Sequence, residues 1–307
     1  MNGNTPFPAT VQNILQWLGS IVYKVKPDTA KSYLNGLRNY HIEHGLDPSV
    51  FTDPRIDLLI RGAKRCVPER EKRIRLPLTQ EILVQVVQAC PPTSIDNLNV
   101  YAAICVSFAA FLRAGEFTWD NWDPASSPSH SLARRHVTFN QDGSVTLRLP
   151  SSKTDPYKLG VDIHLAASTS VICPVRALKH LFTRHPLNPN RPLFNRLVGS
   201  FSKAHFMEKM YEFLLRTGIS TKGFSGHSLR KGAAVSAASR GISKDDIKLM
   251  GRWKSDAVQV YIDEVDALQR KNNLLALNTL LQTTSLARHP LAPGSSSPLR
   301  TLHQNLL

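Results

Sequence analysis

From Asn99 to Leu112 the chain reads NVYAAICVSFAAFL, apolar on every side of a helix rather than along one stripe. A helix of that kind has to be enclosed by other elements. It falls short of the ~18 apolar residues that suggest a membrane span, and no other run reaches that length. The reading is a buried helix inside a mainly α fold. The amino-terminal MNGNTPFPAT has neither the basic nor the apolar region of a secretory leader, so cytosol or nucleus is expected. The 307 residues allow about two domains at ~150 residues each.

A formal net charge of +15 describes a surface that seeks polyanions. Ribosomal, membrane-surface and nucleic-acid proteins share it, and nucleic acid is the favoured partner. Cys66, Cys90, Cys105 and Cys173 show no C-x-x-C spacing and no paired histidine. Neither a zinc site nor a disulfide framework is implied; no metal and no cofactor is expected, and a reducing compartment fits best.

Residues 9 to 25 place Val11, Ile14, Leu15, Leu18, Ile21 and Val22 at helical spacing. Asp28 is expected to cap a second helix (Tyr33, Leu34, Leu37, Tyr40) ending at Gly45, and Asp53-Pro54 to open a third. These make a small helical domain over residues 1–70. A basic linker follows over 71–78, at the end of a stretch holding Arg61, Lys64, Arg65, Arg70, Lys72, Arg73 and Arg75 against Glu69 and Glu71. Charge runs are usually solvated faces; between two domains that close on DNA, this one would lie across the phosphate backbone.

A second domain is expected over 79–282. Thr79 precedes a helix with Ile82, Leu83, Val86 and Val87, and the apolar helix follows, with Arg113 at its end. HVTFN, SVTLRLP and VDIHL alternate as strands of a small antiparallel sheet, separated by Gly143 and by SSKTDPYKLG, which carries Lys153 and Lys158. Pro174 opens another helix, and Ser202 to Arg216 forms one more, stopped by Gly218. An alanine-rich helix then ends at Gly241, Ser243 caps the next with Asp246 at the capping-box position, and Ser255 is expected to cap a short helix bearing Tyr261. Residues 264–282 read as a last amphipathic helix with an apolar face that docks somewhere. The Ser/Pro-rich tail, 283–307, is expected to be disordered.

The stretch Phe224–Asp263 organises the functional reading. His227 and Arg230 are three apart at the start of a helix and can address one oxyanion. Tyr261 is the only one of the seven tyrosines to follow them. The order H-x-x-R, Gly-Arg-Trp, Tyr resembles the catalytic domain of the tyrosine recombinase (phage integrase) family. GHSLRKGAA and GRWKSDA most resemble its eukaryotic mobile-element branch, the Crypton-like and DIRS-like recombinases. LRAGEF resembles the family's L-R-x-x-E motif, in which the arginine contacts the scissile phosphate and the glutamate supports the fold nearby. SSKTDPYKLG resembles the hairpin that carries a catalytic lysine, with Lys158 the alternative to Lys153.

The resemblance implies a mechanism. Arg113 and Arg230 clamp the phosphate oxygens with permanently charged planar forks. A phenol is only about one part in a thousand ionised at neutral pH, so Tyr261 loses its proton as it attacks, with His227 as base or hydrogen-bond partner. Lys153 protonates the leaving 5′-hydroxyl. The product is a 3′-phosphotyrosine, so rejoining needs neither ATP nor metal. Many family members place His or Trp directly after the glycine; here that position is Arg252. Trp253 is assigned the packing or hydrogen-bonding role, and Arg252 is the alternative, as a third phosphate contact. Glu116 supports.

By the same resemblance the partners are double-stranded DNA and further copies of the chain. The assembly is a tetramer on two sites exchanging strands through a Holliday junction, with helix 264–282 docking on a neighbour and the protein resident in the nucleus. A type IB topoisomerase and a catalytically silent DNA-binding protein remain open as alternatives.

Overall fold

The computed structural model describes residues 7–66, 75–89, 91–122, 132–153, 155–259 and 261–263. The chain divides into two compact units, Met1–Arg73 and Ile74–Leu307. The first is built from α1 (Val11–Ile21), α2 (Pro27–Glu43) and α3 (Pro54–Cys66). Ile14, Leu18, Val22, Ala30, Leu34, Ile56, Ile60 and Ala63 form its core, the stripes that helical spacing brings to one face of each helix. Thr10 caps α1, its hydroxyl accepting from the Asn13 amide at 3.2 Å. Asp53 accepts the Arg55 amide at 2.9 Å ahead of α3.

Asp28 is a correction. Lys26 is the N-cap residue of α2 and Pro27 its first helical residue, so Asp28 falls in the first turn. There its carboxylate favours the helix dipole and takes Lys64 Nζ of α3 at 2.7 Å. That contact holds its pKa below the ordinary aspartate value.

In the second unit the all-round apolar segment is α5 (Ile95–Ala109), buried without interruption from Leu98 to Ser107. It starts earlier than its apolar run because Ser94 caps it, accepting the Asn97 amide at 3.1 Å. It ends earlier because Phe111 adopts a left-handed φ of 51°. Arg113 therefore does not close α5; it is the N-cap residue of α6 (Ala114–Phe117).

Around α5 lie α4 (Gln80–Ala89), α7 (Pro174–Arg184), α8 (Lys203–Arg216) and α9 (Ser228–Ala238). Helix α5 packs on α7 and α9, and α4 on α8 and α9. Helix α10 (Lys244–Met250) is capped as expected: Ser243 Oγ accepts the Asp246 amide at 3.1 Å and donates to its carboxylate at 2.5 Å.

The antiparallel sheet runs β1 (Val137–Phe139), β2 (Val145–Leu149), β3 (Val161–Leu165) in that order. Leu147 pairs with Val137 on one side and Ile163 on the other. Val145, Leu147 and Leu149 face the core. Arg148 points away and meets its cross-strand partner Asp162 at 3.2 Å.

Residues 75–80 lie along α9. The Leu76 amide donates to Gly223 O at 2.9 Å, Leu78 to Ser228 O at 2.9 Å and Gln80 to Ser236 Oγ at 3.1 Å. This closeness requires Gly232, where a Cβ would stand 1.8 Å from Leu78 O.

Ser255 is the N-cap residue of a 3-10 turn, Asp256–Val258, although its side chain makes no cap bond; Tyr261–Asp263 are helical. The helix expected over 264–282, the tail 283–307 and Arg70, Lys72 and Arg73 lie outside the described residues. Among those described, no helix is long and apolar enough to cross a membrane.

Candidate active site

The left-handed turn at Phe111 sets up the site. It directs the Phe111 carbonyl to two guanidinium groups: Arg230 Nη1 donates to it at 2.6 Å and Arg252 Nη2 at 3.1 Å. Arg230, in the first turn of α9, is 4% exposed. It also donates to Gly251 O, and its guanidinium stacks 4.1 Å from the Trp253 ring centroid. Burial, with Arg113 and Arg252 beside it, pushes its pKa down to about 9, which leaves it a cation at neutral pH.

The Gly-Arg-Trp turn is equally constrained. A Cβ at Gly251 would stand 1.5 Å from the Trp253 ring. Arg252 takes a left-handed φ of 57°, a conformation that costs a non-glycine residue about 1–2 kcal/mol. The turn sends its side chain inward, where Nη1 donates to Ala110 O at 3.0 Å and Nη2 reaches Glu116 Oε2 at 3.3 Å. Burial lowers its pKa as well. Trp253 packs edge-on to Phe111 with centroids 6.2 Å apart.

Glu116, 5% exposed, joins this layer to Arg113. Its Oε2 accepts the Arg113 amide and its Oε1 accepts Arg113 Nη1, both at 2.8 Å. One carboxylate thus serves two arginines and the N-terminus of α6.

In front of this layer is a cleft of about 480 Å³ whose lining includes Arg113, Glu116, Ser151, Ser152, Lys153 and His227. Lys153 reaches it from the turn after β2 and is exposed. Lys158 has a left-handed φ of 53° and does not line the cleft. His227 is the N-cap residue of α9. Partial burial first, then Arg75, Lys203, Arg230 and Arg113, lower its pKa below the ordinary histidine value. The imidazole is therefore neutral at pH 7 and able to take a proton.

Tyr261 is not part of the cleft lining. It is half-buried and, like Trp253, packs against an apolar cluster that includes Phe111, Ala233, Ala237, Ile247, Val258 and Ile262. Lys231 Nζ lies 5.3 Å from its ring centroid and donates to Arg75 O at 3.0 Å. The fold thus gathers Arg113, Lys153 and His227 on one wall, seats Arg230, Arg252 and Trp253 behind it, and holds Tyr261 to the side.

Of the basic residues before the second unit, Arg61 pairs with Asp57 at 2.9 Å and Lys64 with Asp28 at 2.7 Å, while Arg65 is exposed. Arg75 is exposed and close enough to act on His227. Sequence reasoning missed Lys203, which lines the cleft, and Lys231. The former lies in no motif; the latter sits directly after Arg230 and was open to inspection.

No protein-family model matches the chain. A curated "Integrase/recombinase xerD homolog" of Selenomonas ruminantium is 26% identical over 276 residues, covering 86% of this chain and 76% of the relative. The fold matches a XerH site-specific recombinase bound to a palindromic difH substrate in a post-cleavage complex, with TM-score 0.54 and 12% identity over 86% of this chain and 70% of that one. It also matches the XerH–difH pre-cleavage complex, with TM-score 0.53 and 13% identity over 83% and 67%. The chain therefore spans about three quarters of the curated relative and about two thirds of the structural ones.

Proposed function

We propose that the chain is a member of the tyrosine recombinase/integrase family of DNA breaking-and-rejoining enzymes, a site-specific recombinase using Tyr261 as nucleophile. Arg113 and Arg230 neutralise the non-bridging oxygens of the scissile phosphate. His227, neutral at working pH, takes the phenolic proton, and Lys153 gives one to the departing 5′-hydroxyl. The P–O bond to that hydroxyl breaks as the tyrosine–phosphate bond forms, so the 3′-phosphotyrosine keeps the bond energy for rejoining without ATP or metal. Trp253 packs the Arg230 guanidinium in place, and Arg252 supports the site from behind through Glu116 rather than contacting phosphate.

The observation that carries this reading is the convergence of Arg113, Lys153 and His227 on one cleft backed by the buried Arg230. Residues 1–70 are proposed as a DNA-binding domain, 71–78 as a basic linker and 79–282 as the catalytic domain. Phosphate contacts by Arg61, Lys64, Arg65, Arg70, Lys72, Arg73 and Arg75 would make binding strongly salt-dependent. A tetramer on two sites, strand exchange through a Holliday junction and docking of helix 264–282 on a neighbour complete the proposal. A mobile-element role and residence in the nucleus rest on the wording of GHSLRKGAA and GRWKSDA; the curated relative is bacterial.

The test is covalent trapping on a nicked duplex whose short 5′-hydroxyl fragment diffuses away. A DNA adduct is expected on Tyr261 and none in Tyr261→Phe. Tight, salt-sensitive binding without an adduct would make the protein a silent DNA binder. An adduct on another residue would refute Tyr261, and relaxation of supercoiled DNA without paired sites would favour the topoisomerase.

A further inference from the structure

Resting on that reading, we infer that Lys203 contacts the reacting phosphate as an additional cation of the cleft. It is the first residue of α8, far in sequence from every motif, yet it lines the same cleft as Arg113, Lys153 and His227.

Its seat is built by small residues. A Cβ placed on Gly226 would stand 2.7 Å from Lys203 Cε, 3.5 Å from its Nζ and 3.2 Å from Ala114 Cβ. The gap between the start of α6 and the loop before α9 is thus just wide enough for a lysine stem. It delivers the ammonium beside Gly226, the residue preceding His227, and the charge is felt there as one of the cations that depress the imidazole pKa. The lining holds a single carboxylate, Glu116, already engaged by Arg113 and Arg252. A concave wall of cations with its one acid committed elsewhere concentrates anions.

An exposed lysine is ordinarily a solvated charge. What separates Lys203 from that case is the glycine-and-alanine seat and the shared cleft. Its role is electrostatic: it stabilises charge on a non-bridging oxygen and transfers no proton, the leaving-group proton coming from Lys153.

The experiment compares wild type, Lys203→Met, Lys203→Arg and Gly226→Ala in single-turnover cleavage of the nicked duplex and in DNA binding across a salt series. Lys203→Met is expected to slow cleavage about 10²-fold, as loss of one donor to a developing oxyanion does. It should also flatten the slope of log K against log salt by about 0.9, one phosphate contact on duplex DNA. Lys203→Arg should recover most of both. Gly226→Ala, which displaces the stem without removing the charge, should fall between.

Cleavage by Lys203→Met within twofold of wild type, with Tyr261→Phe inactive, would overturn the inference and leave the recombinase reading intact. Rescue of Lys203→Met by DNA with a 5′-bridging sulfur, whose leaving group needs no proton, would overturn the electrostatic role. If the wild type itself forms no adduct, the recombinase reading has failed at its own test. The salt slope then decides Lys203 alone: unchanged overturns the contact, flatter by about one unit upholds it.

Discussion

Behind the cleft, Arg230 is buried and Arg252 largely so, and they direct their donors at the carbonyls of Ala110, Phe111 and Gly251. Along its wall, Lys153, Lys203 and His227 stand exposed. The two layers carry the same sign of charge a short way apart, and their physics is opposite. Taking a guanidinium out of water is costly unless hydrogen bonds and a counter-charge replace the lost hydration. In the rear layer fixed carbonyls and Glu116 replace part of it, while Arg252 Nε is left without a partner among the described residues and burial still lowers the pKa of both arginines. Those groups are held in place before any substrate arrives, which is where preorganised electrostatics is most effective. The front layer keeps most of its contact with water, His227 losing part of it, and its freedom to move or exchange protons.

The sharpest way to break this division is Glu116→Ala. It strips the counter-charge from Arg252 and the acceptor from the Arg113 amide together. Breaking a buried ion pair by deleting one partner costs about 3–5 kcal/mol, a fall in Tm of roughly 10 °C for a unit of this size. Thermal melting of the full chain would show it. A shift of less than about 2 °C would mean that Glu116 does not hold the rear layer.

The layers also differ in how far they could be read from sequence. Arg113, Lys153, His227, Arg230 and Tyr261 stood out through spaced motifs, and the strands, the Ser243 cap and the buried α5 through periodicity and punctuation. The residues of the rear layer were named by the same motifs, but their arrangement was not legible, because it hangs on a left-handed Phe111, a conformation that neither glycine nor asparagine announces. Without that turn, Arg113 looks like the end of α5 rather than the start of α6. The inward course of Arg252 depends likewise on a positive φ at a residue that disfavours it. Asp28 was misread because the pattern of an acid before a helix stripe suits both an N-cap and a first-turn position. Lys203 carried no local signal; its meaning comes from Gly226 and Ala114, which only the fold brings alongside.

Lys231 is 9% exposed, its ammonium shared between the Arg75 carbonyl and the face of Tyr261. Here the comparison can be sharpened, because the residue is buried like the rear layer yet touches the proposed nucleophile. Lys231→Met keeps the stem and loses the charge. A cation over an aromatic face contributes about 0.5–2 kcal/mol, so adduct formation should slow by roughly two- to thirtyfold with DNA affinity unchanged, and Lys231→Arg should restore it. A parallel loss of affinity, or a Met variant that cleaves at the wild-type rate, would remove Lys231 from the seating of Tyr261.

The smallest expected effect concerns the front layer alone. His227 has its pKa depressed by partial burial and by the cations facing it from the 75–80 segment, α6, α8 and α9, namely Arg75, Arg113, Lys203 and Arg230. Lys153 faces the same cleft. A depressed histidine binds fewer protons folded than unfolded, so its contribution to stability is complete above about pH 6.5, the ordinary value, and is lost as pH falls through the folded pKa. Catalysis should follow the same limb: adduct formation stays level through pH 6.5 and declines only below it, as the base becomes protonated. Replacing the exposed Arg75 with methionine removes the first of those cations, so the acid limb should move up toward the ordinary histidine value while the plateau rate changes little. Arg230 behind the cleft is out of reach of such a change, since its hydrogen-bond partners are the carbonyls of Phe111 and Gly251, which do not titrate. A limb that stays in place in Arg75→Met, or one that lies above pH 6.5 in the wild type, would mean that the imidazole does not answer to the cations around it.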